Sequence, residues 1–117
     1  ANEKHLLTAT LTYQQVMDLL RADVRSAERD VERLVTVPLT QGQFDCLTSF
    51  VFNIGGDQFG SSTLLKLLNN RQYSAVPSQL RRWTRAGGKV MNGLVSRRES
   101  EAAMWVGEYP HAGKAMV

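Results

Sequence analysis

One cysteine, three prolines and two histidines are all that this 117-residue chain contains of those residue types. With Cys46 alone no internal disulfide can form, which leaves the redox compartment open and gives the thiol the reading of a small apolar core residue. His5 and His111 lie too far apart in sequence to suggest a metal pair, and no glycine-rich phosphate loop is present. No apolar run approaches the roughly 18 residues that a membrane-spanning helix requires, and Ala-Asn-Glu-Lys-His at the N-terminus lacks the apolar stretch of a signal peptide. Period-two alternation is missing throughout, as is any internal repeat, so nothing in the pattern calls for strands.

What is present is helical. Thr12 precedes Gln15 by three residues, flanked by Leu11 and Val16, which reads as a capping box with a hydrophobic staple. From there Val16, Leu19, Leu20, Val24, Ala27, Val31 and Leu34 recur at three- and four-residue steps, predicting a helix to about Val35. At about 1.5 Å per residue such a helix is roughly 35 Å long, unusual in a domain this small. Pro38 interrupts, and the same start signal returns as Leu39, Thr40, Gln43 and Phe44. The run Phe44, Leu47, Phe50, Val51, Phe52 and Ile54 is apolar on more than one face, which suits a central helix ended by Gly55-Gly56.

Ser61 or Ser62 caps a short helix bearing Leu64, Leu65, Leu67 and Leu68, which Asn69-Asn70 is expected to stop through left-handed backbone. A further helix is expected from near Ser74, with Pro77 in its first turn, Leu80 and Trp83 inward and Gly87-Gly88 as its end. A last one is expected from about Leu94 to Val106. The fold class that follows is all-α: a small helical domain of about five helices over residues 1–117, with an N-terminal arm over 1–11 and a loose tail over 107–117.

The hydrophobic fraction of 43% is that of an ordinary globular protein, and a net charge of +3 favours polyanions without choosing among nucleic acid, acidic lipid and bacterial wall. Arg81, Arg82, Arg85, Lys89, Arg97 and Arg98 form the basic side, read first as solvated surface and second as a wall or nucleic-acid contact. For nucleic acid, charge supports weak, non-specific binding at most.

Five blocks then carry a resemblance. They are Val37-Pro38-Leu39-Thr40-Gln41-Gly42-Gln43-Phe44-Asp45, Ser49-Phe50-Val51-Phe52-Asn53-Ile54-Gly55 and Ser61-Ser62-Thr63-Leu64-Leu65, then Arg82-Trp83 with Gly87-Gly88-Lys89, and Gly93-Leu94-Val95 with Arg97-Arg98-Glu99. Together they resemble the phage endolysins of the T-even and lambdoid lysozyme type, glycoside hydrolase family twenty-four, from roughly Lys4 to Trp105. The resemblance implies a lysozyme-like C-terminal helical lobe, with a long first helix that in the family joins two lobes. It also implies that the family's catalytic glutamate and small β-rich lobe precede the point where this sequence begins.

By the same resemblance Phe52, Asn53, Ile54, Trp83 and Thr84 lie on or beside one wall of the substrate cleft, and His5 pairs with Asp23 as a structural contact. Other readings stand beside these: Asn53 as a helix terminator, Trp83 as core, and His5 as a solvent-facing residue. Ala1 fits either a natural start after loss of methionine or a cleaved chain.

Glycosidic cleavage needs a carboxylic acid kept protonated in an apolar site and a second group across the bond. Of the eleven carboxylates, Asp18, Glu28, Asp30, Glu32, Glu99 and Glu101 fall on faces read as solvated, and Glu3, Asp45 and Asp57 have no evident partner. The expectation is therefore a non-catalytic homologue that regulates or binds an endolysin, another protein or peptidoglycan, with no catalytic residue, metal or cofactor of its own. The alternatives are the C-terminal lobe of an active muramidase that hydrolyses peptidoglycan only with the missing segment, and a weak nucleic-acid-binding module. The missing lobe would expose Val16, Leu19 and Leu20, which makes them candidates for self-association or a protein partner. The absence of a signal peptide implies the host cytoplasm, with periplasmic action open to export by other means.

Overall fold

A computed structural model describes residues 13–107. The expected cap at Thr12, the His5 contact and the tail beyond Gly107 lie outside the described residues. Helix α1 spans Tyr13–Leu34, α2 Gln41–Ile54, α3 Gly56–Gly60 and α4 Thr63–Asn69. A 3-10 turn at Tyr73–Ala75 leads into α5, Val76–Leu80, and a hairpin of β1, Arg85–Ala86, and β2, Lys89–Val90, precedes α6, Asn92–Trp105. The architecture is all-α apart from this two-stranded hairpin.

Local chemistry sets most of the boundaries. Thr40 Oγ1 accepts the Gln43 N–H at 3.1 Å while Gln43 Oε1 accepts the Thr40 N–H at 2.9 Å, a complete capping box that starts α2. Ser62 Oγ accepts the Leu65 N–H at 3.1 Å and starts α4. Pro77 sits in the first turn of α5, where its missing N–H costs nothing. The end of α1 is tied by Asn69, whose side chain donates to the Leu34 carbonyl at 3.0 Å and accepts from the Thr36 N–H at 2.9 Å.

α2 packs mainly between α1 and α6. Its Cys46, Leu47 and Phe50 are fully buried, and each large side chain so buried contributes roughly 1.5–3 kcal/mol. Ala27 and Val31 of α1, Phe59, Leu64, Leu68, Val76 and Leu80 complete one core with Ala102 and Trp105 of α6.

As expected, α2 ends at Gly55-Gly56: Gly55, at φ 92°, is its C-cap and turns the chain into α3. Three expectations need correction. The left-handed residue after α4 is Arg71 at φ 65°, not an asparagine; Asn69 is still helical and spends its amide on α1. Gly87-Gly88 does not close α5, which already ends at Leu80. The two glycines have φ 60° and 82°, the positive values that a two-residue hairpin turn demands, and they join β1 to β2. Finally, Arg98 and Glu101 are not solvated: they are 0% and 1% exposed.

Candidate functional site: a wall between α2 and the hairpin

The C-terminal end of α2 and the segment after α5 meet over one open depression of about 340 Å³, lined by Asn53, Ile54, Gln58, Trp83, Arg85, Ala86 and Leu94. Three of the expected wall residues, Asn53, Ile54 and Trp83, are thus brought together. Asn53 and Gln58 offer two carboxamides, Ile54, Ala86 and Leu94 an apolar floor, and Arg85 the single charge among these lining residues.

Phe52 and Thr84 are placed differently. Phe52, 38% exposed, lines an adjacent depression of about 210 Å³ with Asp23, Ser26, Asp30, Gly55 and Gly56. The Arg97 guanidinium lies 6.0 Å from its ring centre. Thr84 is half-buried, and its carbonyl accepts the Met91 N–H at 2.8 Å, so it anchors the hairpin from behind. Trp83 is both core and wall: it is half-buried and meets Phe50 edge to face at 5.5 Å between ring centres. Val16, Leu19 and Leu20 lie within α1, but their side chains fall outside the described residues; Val24, the next position of that stripe, is 37% exposed.

Behind the wall lies a polar group that the sequence reading missed. Arg98 and Glu101 of α6 form a buried ion pair: Nη2 donates to Oε2 at 3.0 Å, and Nε lies 2.7 Å from Oε1 in ionic contact without a hydrogen bond. Glu101 Oε2 also accepts from Ser49 Oγ at 2.6 Å and from Arg97 Nε at 3.3 Å. Arg97 Nη2 donates on to the Ser49 carbonyl at 3.1 Å. Burial pushes the Arg98 pKa below its usual value, opposed by the adjacent Glu101 carboxylate. Burial first, and Glu101 second, push the Cys46 thiol upward, which leaves it protonated and inert.

A signal for this group does exist in the sequence. Arg98, Ala102 and Trp105 follow an i, i+4, i+7 spacing on one face of α6, so the apolar pair points inward and carries Arg98 with it, and Glu101 stands three residues from Arg98.

No carboxylate is among the residues that line the depression. Glu101 is the buried one: its Oε2 accepts from Ser49 and Arg98, and its Oε1 lies in ionic contact with Arg98 Nε. Asp18 pairs with Arg21, Asp30 with Arg33 and Glu99 with Arg81, while Asp23 and Asp57 are exposed. The depression can hold an amide-bearing, partly apolar ligand; its own side chains offer no proton donor to cut one.

The phage lysozyme family matches residues 2–101. This chain belongs to that family. An endolysin of Bacillus phage PZA is 41% identical over 95 residues, covering 81% of this chain and 37% of that protein. A SAR-endolysin of Escherichia phage Mu is 42% identical over 94 residues, covering 80% of this chain and 55% of that protein. The chain therefore spans only about a third to a half of these relatives. Among solved structures, the muramidase domain of SpmX from Asticaccaulis excentricus superposes with a TM-score of 0.74 at 36% identity, over 82% of this chain and 68% of that one. An endolysin from Escherichia coli O157:H7 phage FAHEc1 gives 0.75 at 31%, over 85% of this chain and 65% of that one. Within this family, as for any shared fold, activity has to be argued from the site.

Proposed function

We propose that this chain is the glycan-holding lobe of a peptidoglycan-cleaving endolysin, and that hydrolysis requires a carboxylic acid from outside residues 13–107. The observation that carries the reading is the single depression in which Asn53, Gln58 and Trp83 converge. Carboxamides suit the N-acetyl and peptide amides of peptidoglycan, and the apolar floor suits a sugar face. The muramidase and endolysin names of its relatives support the substrate class.

A second reading is a non-catalytic homologue that binds an endolysin or a second copy of itself through the first half of α1. The exposure of Val24 on an apolar stripe favours it.

Wall turbidity separates the two. The chain is added to purified bacterial walls alone and then together with a working phage lysozyme. Binding of soluble muropeptides without clearing, abolished by Asn53→Ala, supports the first reading. Slowed clearing in the mixture supports the second. Clearing by the chain alone refutes the claim that the acid lies elsewhere, unless it is traced to a residue outside 13–107.

A further inference from the structure

We propose that the buried Arg98–Glu101 pair is a positioning device for the glycan wall, fixing the spacing between α2 and the Trp83 segment before any ligand arrives. The inference rests on the glycan-holding reading above and names the residues that regulate that site's geometry.

The two sides of the depression belong to different elements. Asn53 and Ile54 close α2, whereas Trp83 lies between α5 and the hairpin and Arg85 opens β1. Arg98 touches both sides from behind. Its guanidinium carbon lies 4.9 Å from the centre of the Phe50 ring on α2, and its Nη1 donates to the Trp83 carbonyl at 3.4 Å. Phe50 in turn meets the Trp83 ring. Glu101 holds Arg98 by one hydrogen bond to Oε2 and an ionic contact of Oε1 with Nε, and it reaches α2 through Ser49 Oγ.

A purely apolar plug would fill the same volume, and replacing a buried ion pair by hydrophobic residues is often neutral or stabilising. What an apolar plug lacks is direction. A planar guanidinium hydrogen-bonded to a carboxylate has direction, and this one addresses a carbonyl on one element and a ring on the other. Arg98 and Glu101 do not line the depression, so they are positioning residues and not binding residues.

The test is the double variant Arg98→Met with Glu101→Leu in the full chain, which removes both charges together and so avoids an orphaned one. Three quantities are read: thermal unfolding, affinity for a soluble muramyl peptide by calorimetry, and the indole N–H resonance of Trp83. The expected result is unfolding at or above the wild-type temperature, affinity about tenfold weaker, and a shifted or broadened Trp83 resonance, since small misplacements of binding groups cost about that much or more. Wild-type affinity with an unmoved resonance in the folded double variant overturns the proposal. If the double variant does not fold, Arg98→Lys decides, because it keeps the charge and loses the planar guanidinium. Weakened affinity then supports the proposal, and wild-type affinity overturns it. Should the wild-type chain bind no muramyl peptide, the glycan-holding reading fails, and the Trp83 resonance alone still decides whether the pair positions the wall.

Discussion

Replacing Glu101 by leucine, with Arg98 left in place, is expected to bring the chain close to unfolding. Arg98 is completely buried, and its guanidinium has Glu101 as its one ionic partner besides the long contact to the Trp83 carbonyl. In Glu101→Leu the charge stays in the core beneath Phe50 without a counter-charge, and breaking a buried pair in this way costs about 3–5 kcal/mol. Set against a total stability of about 5–15 kcal/mol for a typical domain, that is a large fraction. At about 4 °C per kcal/mol for a chain of this size, the melting temperature falls by roughly 12–20 °C. Urea denaturation followed by helical circular dichroism at neutral pH measures it, with wild type, Glu101→Leu and the Arg98→Met/Glu101→Leu double variant run together. The double variant should recover most of the loss, a coupling that additivity does not allow. A single variant within about 1 kcal/mol of wild type would refute the reasoning, since it would mean that water or a local rearrangement solvates Arg98 at little cost.

Three further outcomes follow from local geometry. Thr40→Ala removes the hydroxyl half of the α2 capping box, leaving the backbone N–H on Gln43 Oε1, and is expected to lower stability by about 1 kcal/mol in the same urea experiment. Gly55→Ala should cost about 1–3 kcal/mol even though an added Cβ meets nothing within 4 Å, because φ 92° and ψ 151° is a backbone region essentially reserved for glycine. The Arg81–Glu99 pair is exposed, and the hydrogen bond from Arg81 holds the Glu99 carboxyl below the ordinary value of 4.5. A depressed carboxyl contributes stability above its unfolded value that is lost as pH falls through the folded one, so urea midpoints of wild type and Glu99→Gln should differ slightly at pH 6 and converge on acidification well below 4.5.

The parts of the fold that the sequence announces are those decided within one turn of chain. Thr40 with Gln43, Ser62 with Leu65, and Pro77 in a first turn are local contracts between a side chain and nearby backbone, and each lies where the spacing places it. The hairpin escaped because two paired residues on each side are too few to show alternation, and a Gly-Gly step marks a helix end as readily as a tight turn. That Asn53, Ile54 and Trp83 line one depression follows from motif likeness. The same does not follow for Gln58, Arg85, Ala86 and Leu94, because their nearness depends on how α3 and the hairpin fold over the end of α2.

Arg98 and Glu101 failed for a different reason, and the reason bears on the site. Charge is read as surface because burying an isolated ion is prohibitive, yet the rule applies to ions without partners. On α6 an arginine and a glutamate three residues apart neutralise one another, and Ala102 and Trp105 pull their face inward. The pair then sits where an apolar residue would give at least as much stability, directly behind two elements that must keep a fixed gap. Of the network's members, Arg97 alone reaches outward, 36% exposed beside Phe52, so one set of hydrogen bonds runs from the core to the edge of the wall. Removing Ser49 Oγ by Ser49→Ala takes away the hydroxyl link of Glu101 to α2, leaving the Arg97 bond to the Ser49 carbonyl, and leaves no buried charge alone. It should therefore disturb the Phe52 and Asn53 resonances more than it lowers the melting temperature, whereas a large loss of stability with an unchanged wall would show that the network serves the core alone.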